Sequence, residues 1–159
     1  MLPTEYQHYL ERGCIYVSTG EGVVQTVLGS CVSVCLWDDA RKCGGMNHFI
    51  HPHTTQRELA TPRYGNVATV GLIKLMQEEG CSIETLGAHI IGGGHPDGAV
   101  DSAGSKNVEV ARRVLIEKGV RILSEDVGGC VGRKVIFNLV TGDVIVMKVG
   151  KVRTEDWID

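Results

Sequence analysis

The chain is cut into short apolar runs by glycine. Twenty-one of its 159 residues are glycine. They fall in small clusters between apolar segments, the pattern of many tight turns. Val23–Leu28 is short and β-branched, a strand, and Gly29-Ser30 is a turn. Residues 31–37 alternate, with Val32, Val34 and Leu36 on one face and Cys31, Ser33 and Cys35 on the other. Asp38-Asp39 with Arg41-Lys42 makes a hydrophilic turn, and 44–50 is a third strand; such close spacing points to antiparallel pairing. A polar loop with two prolines covers 51–63. Residues 64–79 carry a wide apolar stripe and read as a helix stopped by Gly80. A short strand, 88–91, ends in Gly92-Gly93-Gly94. A second helix, 105–118, sets Val108, Ala111 and Leu115 on one face and ends at Gly119. Another strand begins at Arg121, and a hairpin turns at Thr141-Gly142-Asp143 between 134–140 and Val144–Val149. Three strands, a helix, a strand, a helix and three strands do not make the strict alternation of a doubly wound parallel sheet. The expected fold is one α+β domain over 1–159: mixed or antiparallel sheets layered as a sandwich and flanked by helices.

Composition narrows the function. Hydrophobic residues at 43% and charged residues at 22% exclude a disordered chain. A net charge of −3 argues against a nucleic-acid partner. No apolar run approaches the ~20 residues that span a bilayer. Met1-Leu2-Pro3-Thr4-Glu5-Tyr6 has neither the basic nor the apolar part of a secretory signal, so a cytoplasmic protein with reduced thiols is expected. The six cysteines include no Cys-x-x-Cys pair. A Cys31–Cys35 disulfide is ruled out, since four strand residues span ~13 Å and a bridge tolerates ~7 Å.

Cys31 is the first candidate for chemistry. It stands at the start of a strand after a Gly-Ser turn, where a thiol projects from the sheet end and the N–H groups of Ser30 and Cys31 can hold an oxyanion. The competing reading is a buried small hydrophobe. His48 is the candidate base, one hydrophilic turn and one strand later, and its bland alternative is a satisfied core histidine beside Met46 and Ile50. Thr26 has a hydroxyl able to orient an imidazole, but as an isolated residue it is a good strand former. A metal module built from Cys43, His48, His51 and His53, with Cys35 nearby, is the rival constellation, though H-x2-H-x-H is not a common structural zinc spacing. Gly92-Gly93-Gly94 fails the dinucleotide fingerprint, because Asp97 stands where glycine is needed. That cluster and Gly128-Gly129 read as tight turns, with close approach to a peptide substrate as the second reading.

Taken together, Leu28-Gly29-Ser30-Cys31-Val32-Ser33-Val34-Cys35-Leu36, Gly45-Met46-Asn47-His48-Phe49-Ile50 with Pro52, Tyr64-Gly65-Asn66, Asn107, Ser124-Glu125-Asp126-Val127-Gly128-Gly129, Gly132-Arg133-Lys134-Val135 and Thr141-Gly142 resemble the chemoreceptor glutamine deamidase family, CheD. The chain departs from that pattern at His51-Pro52, Gly92-Gly93-Gly94-His95-Pro96 and Lys106. The resemblance implies a cysteine hydrolase of the layered type related to deamidating toxins, with nucleophile Cys31, base His48 and a third residue at Thr26. It implies no cofactor. The implied reaction converts chemoreceptor glutamines to glutamate in chemotaxis adaptation, with glutamyl methyl ester hydrolysis as a secondary activity. The implied partners are the cytoplasmic helices of chemoreceptors and the CheC phosphatase; the polar 51–63 loop is a candidate edge for receptor contact. The alternatives are a non-catalytic adaptor that binds receptor or phosphatase, and the metal-binding module.

Overall fold

The computed structural model describes residues 7–150 and 152–157. Residues 1–6, read above for a secretory signal, lie outside them. Nine strands and two helices follow in the order β1 (Gln7–Tyr9), β2 (Ile15–Thr19), β3 (Val23–Leu28), β4 (Val32–Asp38), β5 (Cys43–Asn47), α1 (Gly65–Glu78), β6 (Leu86–Gly92), α2 (Ala103–Glu117), β7 (Arg121–Val127), β8 (Gly132–Asn138) and β9 (Val144–Val149). They form a four-stranded sheet, β1-β3-β8-β9, and a five-stranded sheet, β2-β5-β4-β6-β7. The pairs β1–β3 and β6–β7 are parallel and the others antiparallel, so both sheets are mixed. The α+β sandwich expected from the sequence is the fold observed.

The alternation in β4 sets the layers. Val32, Val34 and Leu36 pack with Leu72, Met76, Ala111 and Leu115 of the two helices. Cys31, Cys35 and Trp37 face the other way, against Val24, Leu28, Val135 and Phe137 of the four-stranded sheet. The molecule is therefore helices, five-stranded sheet, four-stranded sheet. Arg133 of β8, nearly fully buried, joins the sheets through Asp126 of β7 at 2.9 Å.

Local chemistry explains most element ends. Gly80 at φ +94° and Gly119 at φ +78° terminate the helices as expected. The second helix begins two residues earlier than predicted. Ser102 and Ser105 form a reciprocal capping box, each hydroxyl accepting the other's backbone N–H. Strand β8 stops at Asn138 rather than 140, because the Asn138 side chain accepts the N–H groups of Val140 and Thr141 and turns the chain. The strands β1 and β2 were not anticipated. The first is three residues long and exposed throughout, so it carries no alternation. The second is half-buried on both faces, which blurs the same signal. Among the described residues no helix is long and apolar enough to cross a membrane.

Candidate active site

The predicted residues converge between the two sheets. Gly29, Ser30 and Cys31 carry the chain from β3 in one sheet to β4 in the other. Thr26 shares the inner face of β3 with Val24 and Leu28, which pack into the inter-sheet layer. Cys35 pairs with Met46, and the same register returns beyond β5 as a bridge between Val32 and Phe49. Val32 and Phe49 face the helices. Cys31 and His48, each one residue earlier, therefore share the opposite face as diagonal neighbours. Such neighbours lie about 7–8 Å apart, within reach of a long or aromatic side chain.

Asn47 breaks the ladder to make this possible. Its Oδ1 takes the Val34 N–H at 2.8 Å, so the strand peels away. The His48 backbone is caught instead by the segment before β2: Gly13 N–H donates to His48 O at 2.7 Å, and His48 N–H to Cys14 O at 3.3 Å.

The hydrogen bonds assign the imidazole tautomer. The Thr26 hydroxyl donates its one hydrogen to Leu10 O at 2.9 Å and lies 2.8 Å from His48 Nδ1. With that hydrogen spent, Nδ1 carries the proton and donates to Thr26. Nε2 then presents its lone pair; it is buried and has no hydrogen-bond partner among the described residues. Burial pushes the His48 pKa down from 6.5 to about 4, with Asp156 opposing and Arg12 and Arg153 adding to the fall. Burial also pushes the Cys31 thiol up to about 12, with Arg12 and Arg63 pulling it down and Asp156 pushing it up. Cys31 N–H lies close enough to its own sulfur to favour the thiolate. The resting pair is thus a neutral thiol and a neutral imidazole.

A cover lies over this site. Both Cys31 and His48 are only 1% exposed. Residues 152–157 cross the Gly29-Ser30 turn, and Asp156 O accepts the Ser30 N–H at 3.0 Å. One of the two expected oxyanion donors is therefore occupied. A side chain at Gly29 would run into Asp156 O, and the Trp157 ring packs at Gly29 and Gly94. Arg12 donates to Glu155 O at 2.7 Å. Asp156 is buried beside Arg153 at 3.2 Å.

The glycine run does approach another backbone closely, but its neighbour is the chain itself. Gly93 N–H bonds Cys31 O at 2.9 Å and Gly94 N–H bonds Gly29 O at 3.0 Å. A side chain at Gly92 would strike Cys31 O, and one at Gly104 would strike the Gly93 and Gly94 carbonyls. The cluster supports the Gly29–Cys31 turn. Gly128 and Gly129, at φ +78° and +72°, make the tight turn expected.

The rival residues do not gather. Cys43 opens β5 at its far end, five residues from His48 and so about 16 Å along a strand. His51 lies against the Tyr64 ring and His53 is exposed. Among the described residues no three His, Cys, Asp or Glu side chains could hold a metal ion. All six cysteines are free thiols, with Cys14 and Cys130 exposed. The sequence reading missed Arg12 and Asp156. Neither has a motif around it, and Asp156 is far along the chain from Cys31. It also assigned no role to Asn107, whose Nδ2 donates to Ser30 O and Ile50 O.

A thiol, an imidazole held in one tautomer and a supporting hydroxyl in a layered α+β fold form the equipment of acyl-transfer chemistry. Comparison with known proteins places the chain more closely. Residues 51–148 match the family described as CheD chemotactic sensory transduction. The chain is 36% identical over 152 residues to the probable chemoreceptor glutamine deamidase CheD of Sulfurimonas denitrificans, spanning 92% of this chain and 97% of that relative. It is 38% identical to the protein of the same description from Trichlorobacter lovleyi, spanning 94% of each. The chain belongs to the CheD family. Among solved structures, the Bacillus licheniformis hypothetical protein YfiH aligns at TM-score 0.43 and 15% identity, over 65% of this chain and 46% of that one, too low to carry an argument.

Proposed function

We propose that this chain hydrolyses the side-chain amide of selected glutamines in chemoreceptors, using Cys31 as nucleophile and His48 as general base. The observation that carries the reading is the Thr26–His48 bond. It holds the proton on Nδ1 and leaves a buried Nε2 lone pair on the face shared with Cys31.

His48 Nε2 takes the Cys31 proton as the sulfur attacks the carboxamide carbon. The tetrahedral oxyanion draws on Cys31 N–H, and on Ser30 N–H once Asp156 O has left it; one such donor is typically worth ~3–4 kcal/mol. His48 passes its proton to the departing nitrogen, ammonia leaves, and a thioester remains. His48 then takes a proton from water as the hydroxide attacks, and the thiol is restored with glutamate as product. Acid–base help of this kind contributes roughly 10²–10⁴-fold. A glutamyl methyl ester passes through the same thioester, so ester hydrolysis is the secondary activity. No step calls for a cofactor. The family resemblance supplies the receptor's cytoplasmic helices as substrate, the CheC phosphatase as regulatory partner and the cytoplasm as location.

The test is to incubate the protein with a chemoreceptor cytoplasmic fragment and follow ammonia release, with mass spectrometry to map amide-to-acid conversion. Cys31→Ala and His48→Ala should each abolish conversion while melting as folded proteins. Undiminished conversion by Cys31→Ala would refute the cysteine mechanism. Binding without conversion by the wild-type chain would point to an adaptor.

A further inference from the structure

Asn107 lies in the second turn of α2 and is wholly buried. Its Nδ2 donates to Ser30 O at 3.0 Å and to Ile50 O at 2.9 Å. Ser30 precedes Cys31, and Ile50 follows His48 by two residues. Val32 and Phe49 exchange both backbone bonds, Val32 N–H to Phe49 O at 3.2 Å and Phe49 N–H to Val32 O at 3.0 Å. In an antiparallel ladder the next rung, Cys31 opposite Ile50, carries no backbone bonds, and the next bonded rung would be Ser30 with His51. That rung is not made: His51 N–H turns to Arg63 O at 3.0 Å and Ser30 N–H to Asp156 O at 3.0 Å. Where backbone would have coupled the nucleophile and base segments a second time, a single carboxamide couples them.

The amide can face only one way, because two carbonyl oxygens converge on it and each needs a donor. Its Oδ1 is left buried with no partner among the described residues. An unsatisfied buried oxygen is uncommon and calls for a reason. Holding the helix is not that reason. Val108, Ala111, Val114 and Leu115 anchor α2 in the apolar layer, and the capping box secures its start.

We infer that Asn107 is a positioning residue for the deamidation: by tying Ser30 to Ile50 it sets the distance between the Cys31 sulfur and His48 Nε2. The inference rests on the roles proposed for Cys31 and His48.

The test is Asn107→Leu, which keeps the number and branching of the side-chain heavy atoms and removes the donor. On the receptor fragment, kcat should fall about a hundredfold, the usual consequence of a misplaced catalytic group, while KM holds. The pH profile of Cys31 alkylation by iodoacetamide should lose its histidine-dependent part and match that of His48→Ala. Asn107→Gln, which restores an NH2 group, should recover part of kcat. A purely structural asparagine would lower the melting temperature and leave the alkylation profile unmoved, and that result overturns the inference. If Asn107→Leu fails to fold, Asn107→Ser decides: its hydroxyl serves one carbonyl, so an intermediate kcat supports the inference and a full kcat overturns it. Activity in Cys31→Ala would bring down this inference and the cysteine mechanism together. An inactive Cys31→Ala beside a fully active Asn107→Leu would remove this one alone.

Discussion

Replacing Thr26 by valine removes one oxygen and keeps the shape of the side chain. The lost hydroxyl serves two buried groups, Leu10 O and the His48 Nδ1–H. Each orphaned group is worth about 1–3 kcal/mol, and the new buried methyl returns about 1 kcal/mol. A net loss of about 1–5 kcal/mol follows, and at about 2–4 °C per kcal/mol for a domain of this size the melting temperature falls by roughly 2–20 °C. Activity suffers separately. During attack the imidazole becomes cationic, and a hydrogen bond to a charged group contributes about 1.5–3 kcal/mol. Losing it lowers kcat/KM by roughly ten- to a hundredfold. The assay is ammonia release from the receptor fragment, measured well below the melting temperature of each variant. Thr26→Ser keeps the hydroxyl and should keep most of the activity despite a small void. A folded Thr26→Val with wild-type kcat/KM, or a Thr26→Ser as impaired as the valine variant, would refute the tautomer argument.

Two other outcomes follow from the same geometry. Removing residues 152–159 takes Asp156 O off Ser30 N–H and uncovers the turn that carries Cys31; alkylation of Cys31 by iodoacetamide should then accelerate, and an unchanged rate would mean that this segment does not gate access to the sulfur. His48 titrates near 6.5 when unfolded and near 4 when folded. The unfolded chain therefore binds a proton that the folded one refuses, and stability is lost as pH falls from 6.5 toward 4. Two and a half pH units amount to about 3 kcal/mol. Melting curves across that window should be steeper in pH for the wild type than for His48→Gln, and parallel curves would show that the imidazole is not buried neutral.

The segments of the candidate site were legible because their signals are local. The alternation of 31–37 placed Cys31, Ser33 and Cys35 on one face before any packing was known, and both core clusters respect that division. Gly80 and Gly119 marked helix ends because φ > 0 suits glycine. The start of α2 was missed by two residues because serine signals a cap only where its hydroxyl meets a free N–H.

What the sequence by itself determined is the order of elements from Val23 onward, the period-2 faces and the family. Those depend on neighbours a few residues apart. What only the tertiary structure decided is who meets whom. Thr26 reaches a histidine 22 residues away because their strands belong to sheets that face each other. Asn107 reaches across 77 residues to Ser30 because α2 packs on the far side of β4. Asp156 lies on the Gly29-Ser30 turn because Gly29 has no side chain to keep it off. Each contact needs two chain segments brought together by burial of apolar faces. No local pattern encodes which segments those are, since the burial that joins them is non-directional.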